Sequence, residues 1–161
     1  MKLLSKAIKY GDDINTDLII AGKYTKTIDK KELAFHAMED IDSDFTDKVK
    51  KGAFVVAGSN FGCGSSREQA PIALKEAGVL CIVARSFARI FYRNAVNIGL
   101  PLVECDTSSI SDGDVIEYEV GTEIVKNKTT GEEIPVKSLP AIMIDILNAG
   151  GVVGYYKKLQ G

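Results

Sequence analysis

Gly58-Ser59-Asn60-Phe61-Gly62-Cys63-Gly64-Ser65-Ser66-Arg67-Glu68-Gln69-Ala70-Pro71 decides how this chain folds. The apolar run Ala53-Phe54-Val55-Val56-Ala57 before it reads as a buried strand, and the apolar-periodic segment from Ile72 to Ala77 after it reads as a helix. A glycine-rich turn between strand and helix leaves backbone N–H groups unpaired and lets a ligand come close. The positive end of the helix dipole favours negative charge there. Arg67 adds a planar fork that matches a carboxylate or phosphate. The stretch thus reads as a place where an anion is held against a serine.

A plainer reading runs beside this one. Ser65-x-x-Glu68 has the spacing of a capping box, in which Ser65 only satisfies the helix start. Pro71 would remove a backbone donor early in the second turn of a helix begun at Ser66. Either the helix starts nearer Pro71 or its first turn is irregular, and both place Ser65 and Ser66 at the helix entrance.

Other chemistries fit less well. A Walker-type loop needs Lys and then Ser or Thr after its last glycine, but Gly64 is followed by Ser65-Ser66-Arg67. A dinucleotide fingerprint would place a third glycine where Arg67 stands. There is no G-x-S-x-G elbow, and His36, the single histidine, leaves no serine–histidine–aspartate triad. Cys63, Cys81 and Cys105 are widely spaced without a C-x-x-C, so a metal or iron–sulfur site within this chain is not expected. Cys81 lies in the apolar run Val79-Leu80-Cys81-Ile82-Val83 and reads as a core residue.

The chain as a whole sets wider bounds. Its 161 residues fit one domain over 1–161 with room for a real core. A net charge of -2 argues against nucleic acid as a partner. No apolar run is long enough to span a bilayer, and the segment Met1 to Lys6 lacks a signal peptide's apolar region. A cytoplasmic location is the expectation.

Outward from the central turn, Gly78 is a natural helix stop, and Val79 to Ala84 reads as a second buried strand. Ser86 is placed to cap a helix whose apolar positions are Phe87, Ile90, Phe91, Ala95 and Val96, with Arg85, Arg89 and Arg93 along another side. Gly99 ends it, and Leu100-Pro101-Leu102-Val103 begins a third strand. Alternating strands and helices signal a parallel α/β layer. Upstream, residues 2–10 alternate loosely as an edge strand. The polar cluster Tyr10 to Asp17 could cap backbone groups, cross an interface or simply form an Asx-rich turn. Leu18-Ile19-Ile20 reads as a short strand, and Ala21 to Thr27 as a loop. Asp29 and Glu32 have capping-box spacing for a helix running through Met38. Residues 39–44 read as an acidic connection. Downstream, Asp112-Gly113-Asp114 is a turn and Val115 to Val120 a strand. Residues 122–125 and 132–136 form a hairpin. A helix follows from Pro140 to Asn148, then Gly150-Gly151 and a closing segment, Val152 to Tyr156. The expected architecture is α/β: a parallel strand–helix layer with an added β-hairpin region.

Gly58 to Glu68 resembles the active-site loop of the aconitase superfamily's swivelling domain. The resemblance extends to Gly11-Asp12-Asp13-Ile14-Asn15-Thr16-Asp17, to Arg85-Ser86-Phe87-Ala88-Arg89-Ile90-Phe91, and from Asn94 to Pro101. The length resembles the stand-alone small subunits of the superfamily's hydroxy-acid dehydratases. Isopropylmalate isomerases of leucine biosynthesis are preferred, with homoaconitases or related dehydratases as the alternative. The resemblance implies that a hydroxyl moves between adjacent carbons of a small dicarboxylic or tricarboxylic hydroxy acid by dehydration and rehydration. Ser65 would be the base, as an alkoxide, and Ser66 and Arg67 would bind substrate carboxylate. Asn60, Gly62, Gly64 and Glu68 would support the loop. A [4Fe–4S] cluster would assist the leaving hydroxide. This chain lacks suitable cysteines, so a large-subunit partner would carry the cluster and share the site. Gly22 to Thr27 is similar to the family's specificity loop, with Lys26 and Thr27 facing the substrate's variable group. A reading of a different class is a non-catalytic module that binds organic anions and needs no large subunit.

Overall fold

The computed structural model describes residues 1–161. Strand β1 spans Lys2–Lys9, β2 Ala53–Val56, β3 Val79–Ala84 and β4 Leu102–Glu104. Strands β5 Val115–Glu119, β6 Ile124–Asn127 and β7 Glu133–Pro135 complete a seven-stranded sheet ordered β4-β3-β2-β1-β5-β6-β7. The first four strands are parallel neighbours, whereas β5, β6 and β7 run antiparallel. The expected hairpin is therefore β6–β7, and it extends the same sheet through β5.

Helices cover both faces. Short helices α1 (Thr16–Ile19), α2 (Lys30–Phe35) and α3 (Phe45–Val49) precede β2. Helices α4 (Gln69–Ala77) and α5 (Arg89–Asn97) connect the parallel strands. Helices α6 (Ala141–Asn148) and α7 (Val152–Gln160) close the chain. All four residues of β2 are buried because both faces of the strand are covered. Val55 packs with Leu33, Phe45, Leu74 and Phe91 on one face. Phe54 and Val56 pack with Cys81, Tyr118, Val125 and Leu147 on the other.

Several local expectations are corrected. β1 is not an edge strand; β2 pairs on one side of it and β5 on the other. Leu18-Ile19-Ile20 is not a strand, because Leu18 and Ile19 belong to α1, whose N-cap Asn15 accepts from the Leu18 N–H at 2.9 Å. Asp29 does cap α2, but Glu32 accepts from the Thr27 hydroxyl, so the reciprocal box does not close. That helix ends at Phe35, and Met38 has φ +58°. Ser86 does not cap α5; its hydroxyl accepts from the Asn60 N–H at 2.8 Å. Val152 to Tyr156 is helical.

The topology places the site. β1, β2 and β3 are adjacent and parallel, so the segments after all three emerge at one edge of the sheet. Those segments are 10–15, 57–68 and 85–88. The crevice beyond the carboxyl ends of parallel strands is where open α/β sheets bind ligands.

Candidate active site

The 58–65 segment is laced to its neighbour on either side. Toward 11–16, the Gly58 N–H donates to Gly11 O (3.1 Å) and the Gly62 N–H to Ile14 O (2.8 Å). In return, the Asp13 N–H donates to Ser59 O (2.8 Å) and the Thr16 N–H to Cys63 O (2.9 Å). Asp12 accepts from the Ser59 N–H at 2.7 Å, and the Thr16 hydroxyl donates to the Ser65 carbonyl at 2.9 Å. Toward 85–88, the Phe61 N–H donates to Ser86 O (3.0 Å) and the Ala88 N–H to Phe61 O (2.9 Å). The acidic cluster after β1 is thus a long-range brace: Asp12 caps loop backbone, and Asp13 accepts from the Asn60 side-chain amide at 3.0 Å.

Beyond the braced part the backbone is open. The N–H groups of Gly64, Ser65, Ser66 and Arg67 have no acceptor in the chain. Helix α4 begins at Gln69, so Pro71 falls in its first turn, where a missing donor costs nothing. Its N-cap is Glu68, with no side-chain cap bond, so Ser65 is not a cap. Ser65 and Ser66 are exposed, and neither hydroxyl has a hydrogen-bond partner within the chain.

These groups share one cleft of about 290 Å³. Gly62, Gly64, Ser65, Ser66 and Arg67 line one side of it, with Thr16. Ala88, Arg89, Ile90, Phe91 and Asn94 supply the other. That second wall is the start of α5, where the N–H groups of Arg89, Ile90 and Phe91 also lack acceptors. The cleft therefore holds two arginines, free backbone donors and three hydroxyls, and no carboxylate lines it. A larger cavity of about 410 Å³ lies beside it and shares Arg89, but contains none of the loop hydroxyls.

Arg67 is held in place. One of its nitrogens meets Asp17 at 2.6 Å and the Ile20 carbonyl at 3.2 Å. Its guanidinium lies 3.5 Å from where a Cβ of Gly22 would stand. The next side chain but one, Gln69, donates to the Thr25 carbonyl at 2.7 Å. The loop from Gly22 to Thr27 is therefore anchored to the central stretch.

Comparison with known proteins places this geometry in a family. The aconitase C-terminal domain model matches residues 4–107. The 3-isopropylmalate dehydratase small subunit 2 of Archaeoglobus fulgidus is 54% identical over 159 residues, spanning 98% of this chain and 96% of that one. A small subunit of the same name from Caldicellulosiruptor bescii is 53% identical over 154 residues, spanning 94% of this chain and 93% of its own. The chain belongs to the 3-isopropylmalate dehydratase small-subunit family. The fold agrees throughout: the crystal structure of 3-isopropylmalate dehydratase from Methanocaldococcus jannaschii superposes with a TM-score of 0.94 at 47% identity, covering 99% of this chain and 96% of that one. The family's small-subunit name implies a large-subunit partner.

Within this small-subunit fold, the residues singled out from sequence separate into two groups. Ser65, Ser66, Arg67, Gly62 and Gly64 come together in the cleft. Asn60, Glu68, Lys26 and Thr27 do not line it. Asn60 has φ +62° and serves the brace through Asp13 and Ser86. Lys26 is exposed. Thr27 accepts from the Asp29 N–H at 3.1 Å and donates to Glu32 at 3.0 Å. Thr16, Arg89 and Asn94 are cleft residues to which sequence reading gave no role there. Their signal was topological: each lies just after the end of a parallel strand or within the helix that follows it.

No three His, Cys, Asp or Glu side chains converge as a metal-holding group. The three cysteines are free, and Cys81 is fully buried. Burial pushes the Cys105 thiol up to about 12, which disfavours a thiolate ligand there. These residues do not fit an iron–sulfur cluster. No helix is long and apolar enough to cross a membrane.

Proposed function

We propose that this chain, as one swivelling-domain unit over residues 1–161, is the small subunit of a hydro-lyase that interconverts 2-isopropylmalate and 3-isopropylmalate. One observation carries the reading: the free donors of Gly64 to Arg67 stand beside the Ser65 hydroxyl and the Arg67 guanidinium in a single cleft. The reaction removes a proton from a carbon next to a carboxylate, so negative charge builds on that carboxylate. Free N–H groups and a fixed guanidinium stabilise that charge without reorganising. Ser65 takes the proton at Oγ. Serine is a base only as an alkoxide, and the same positive potential favours that form. Ser66 and Arg67 hold the carboxylate, while Asn60, Gly62, Gly64 and Glu68 keep the loop in shape. Departure of the hydroxyl is assigned to a [4Fe–4S] cluster on the large subunit, since this chain's cysteines do not suit it. A cytoplasmic location goes with this reading.

The test is reconstitution. The chain alone should leave 2-isopropylmalate unchanged, and a cluster-loaded large subunit should restore turnover. Ser65→Ala should lower kcat by at least about 100-fold, the lower end of what a positioned base contributes, while assembly persists. Turnover by the isolated chain, or by the alanine variant at the wild-type rate, contradicts the proposal.

A second reading, homoaconitase chemistry, rests on Lys26. It is exposed and makes no ion pair within the chain, so it is available to a further carboxylate. Under either reading the loop carrying Lys26 and Thr27, which lies outside the cleft lining and is tied to it through Arg67 and Gln69, is the part that faces the substrate's variable group. Comparing isopropylmalate with homoaconitate, before and after Lys26→Leu, separates the two: a cation that selects homoaconitate loses that preference on substitution.

A further inference from the structure

We propose that Arg89 binds the second carboxylate of the substrate, opposite the one held at Arg67; this rests on the reading of the cleft as a hydroxy-dicarboxylate site. The two arginines are the only charged residues lining the cleft. They differ in how far they are already engaged. Arg67 already pairs with one carboxylate of the chain, Asp17, at 2.6 Å. Arg89 is exposed and makes no ion pair or hydrogen bond through its side chain. A dicarboxylate brings two negative charges, and on this chain's side of the cleft Arg89 is the arginine with no carboxylate already paired to it.

Placement agrees with charge. Arg89 is the first residue of α5, a nine-residue helix whose first turn forms the wall facing the serine loop. A carboxylate against that wall would meet the guanidinium and the free N–H groups of Ile90 and Phe91. The other carboxylate would lie at Ser66 and Arg67, with the carbon between the two groups presented to Ser65. Two clamps at opposite walls fix the substrate's direction as well as its position, which one clamp cannot do.

A packing role is the competing account. Arg89 also lines the neighbouring cavity with Phe87, Tyr92 and Met143, where its stem could cover apolar surface. The two accounts differ in what removal of the charge does. Arg89→Met keeps an unbranched stem and loses the guanidinium; Arg89→Lys keeps a charge and loses the fork.

The experiment uses holoenzyme assembled from this chain and its large subunit. Arg89→Met should raise KM for 2-isopropylmalate about 10- to 100-fold, the range for a lost charge-assisted contact, with a smaller change in kcat. Arg89→Lys should fall between. A dicarboxylate inhibitor should outcompete its monocarboxylate analogue in wild type, and the methionine variant should lose that preference. If KM and the preference are both unchanged in Arg89→Met, the assignment is overturned. The same follows if both inhibitors weaken equally, as a packing role predicts. Equilibrium binding of the two inhibitors reads Arg89 even without turnover; a wild-type holoenzyme that binds dicarboxylate through Arg89 but converts no isopropylmalate contradicts the functional reading alone.

Discussion

The hydroxyl of Thr16 donates to the backbone carbonyl of Ser65 at 2.9 Å, across 49 residues of sequence. Thr16 is 2% exposed, so it has little freedom to move. The contact fixes the peptide that carries the proposed base. Thr16→Val keeps the shape and removes the donor. Stability should fall by about 1 kcal/mol, the usual net worth of one such bond. Holoenzyme kcat should fall further, by about 10- to 100-fold, because a small displacement of a reacting group is costly. Thr16→Ser should retain most activity. Urea midpoints and kcat on the three proteins check this, and a fully active valine variant rejects Thr16 as the support of Ser65.

Gly62 is set by both conformation and space. It has φ +82°, and a Cβ there would stand 2.2 Å from Phe91 Cγ. Phe91 is itself 3% exposed and packed against Phe61 with ring centroids 5.4 Å apart. The ring cannot retreat without disturbing both walls of the cleft. Gly62→Ala should cost about 1–3 kcal/mol from overpacking, with a further penalty for the left-handed backbone. Chemical denaturation of the isolated chain gives the number. A wild-type midpoint means that Phe91 is free to move.

Much of this arrangement was legible in the sequence because it is local. The run Ala53 to Ala57, the glycine turn, the helix through Ile72 and the strand from Val79 each declare themselves within a few residues. What was missed depends on partners far away. β1 alternates like an edge strand, but β5, which covers it, arrives more than a hundred residues later. Leu18-Ile19-Ile20 is too short for its period to be read: Leu18 and Ile19 end the short helix capped by Asn15, and Ile20 is already extended. Ser65 and Glu68 had the spacing of a capping box, yet α4 starts after both of them. Ser86 had the chemistry of a cap, yet its hydroxyl serves Asn60 instead. Arg89 was visible as one of three arginines; what brings it to Ser65 is the adjacency of β2 and β3.

Acid should weaken the turn that leads into β5. Asp114 accepts from the Ser111 N–H and from the Asn127 side-chain amide, each at 2.8 Å. These bonds, Ser111 first, hold its carboxyl below the usual carboxylate range. A depressed folded value means the contribution is complete above the unfolded value of about 3.9 and is lost as pH falls through the lower folded value. Asp114→Asn should therefore be less stable than wild type at neutral pH, and the gap should narrow below about pH 4. Urea midpoints at neutral and acid pH measure the gap; a difference independent of pH removes Asp114 from the acid response.

Gln69 ties the loop from Gly22 to Thr27 to the start of α4 through a single bond, its amide to the Thr25 carbonyl at 2.7 Å. The loop's two lysines, Lys23 and Lys26, are both exposed, which makes its mobility measurable by proteolysis. Gln69→Leu removes the donor and keeps comparable bulk. Trypsin should then cut after Lys23 or Lys26 several-fold faster, about what is expected from losing roughly 1 kcal/mol of local closure, while cleavage elsewhere is unchanged. In the holoenzyme the same variant should raise KM more than it lowers kcat, because a freed loop must be ordered again on binding. Equal rates of cleavage at both lysines in the two proteins would mean that the hydrogen bond of Arg67 to the Ile20 carbonyl is enough to hold the loop.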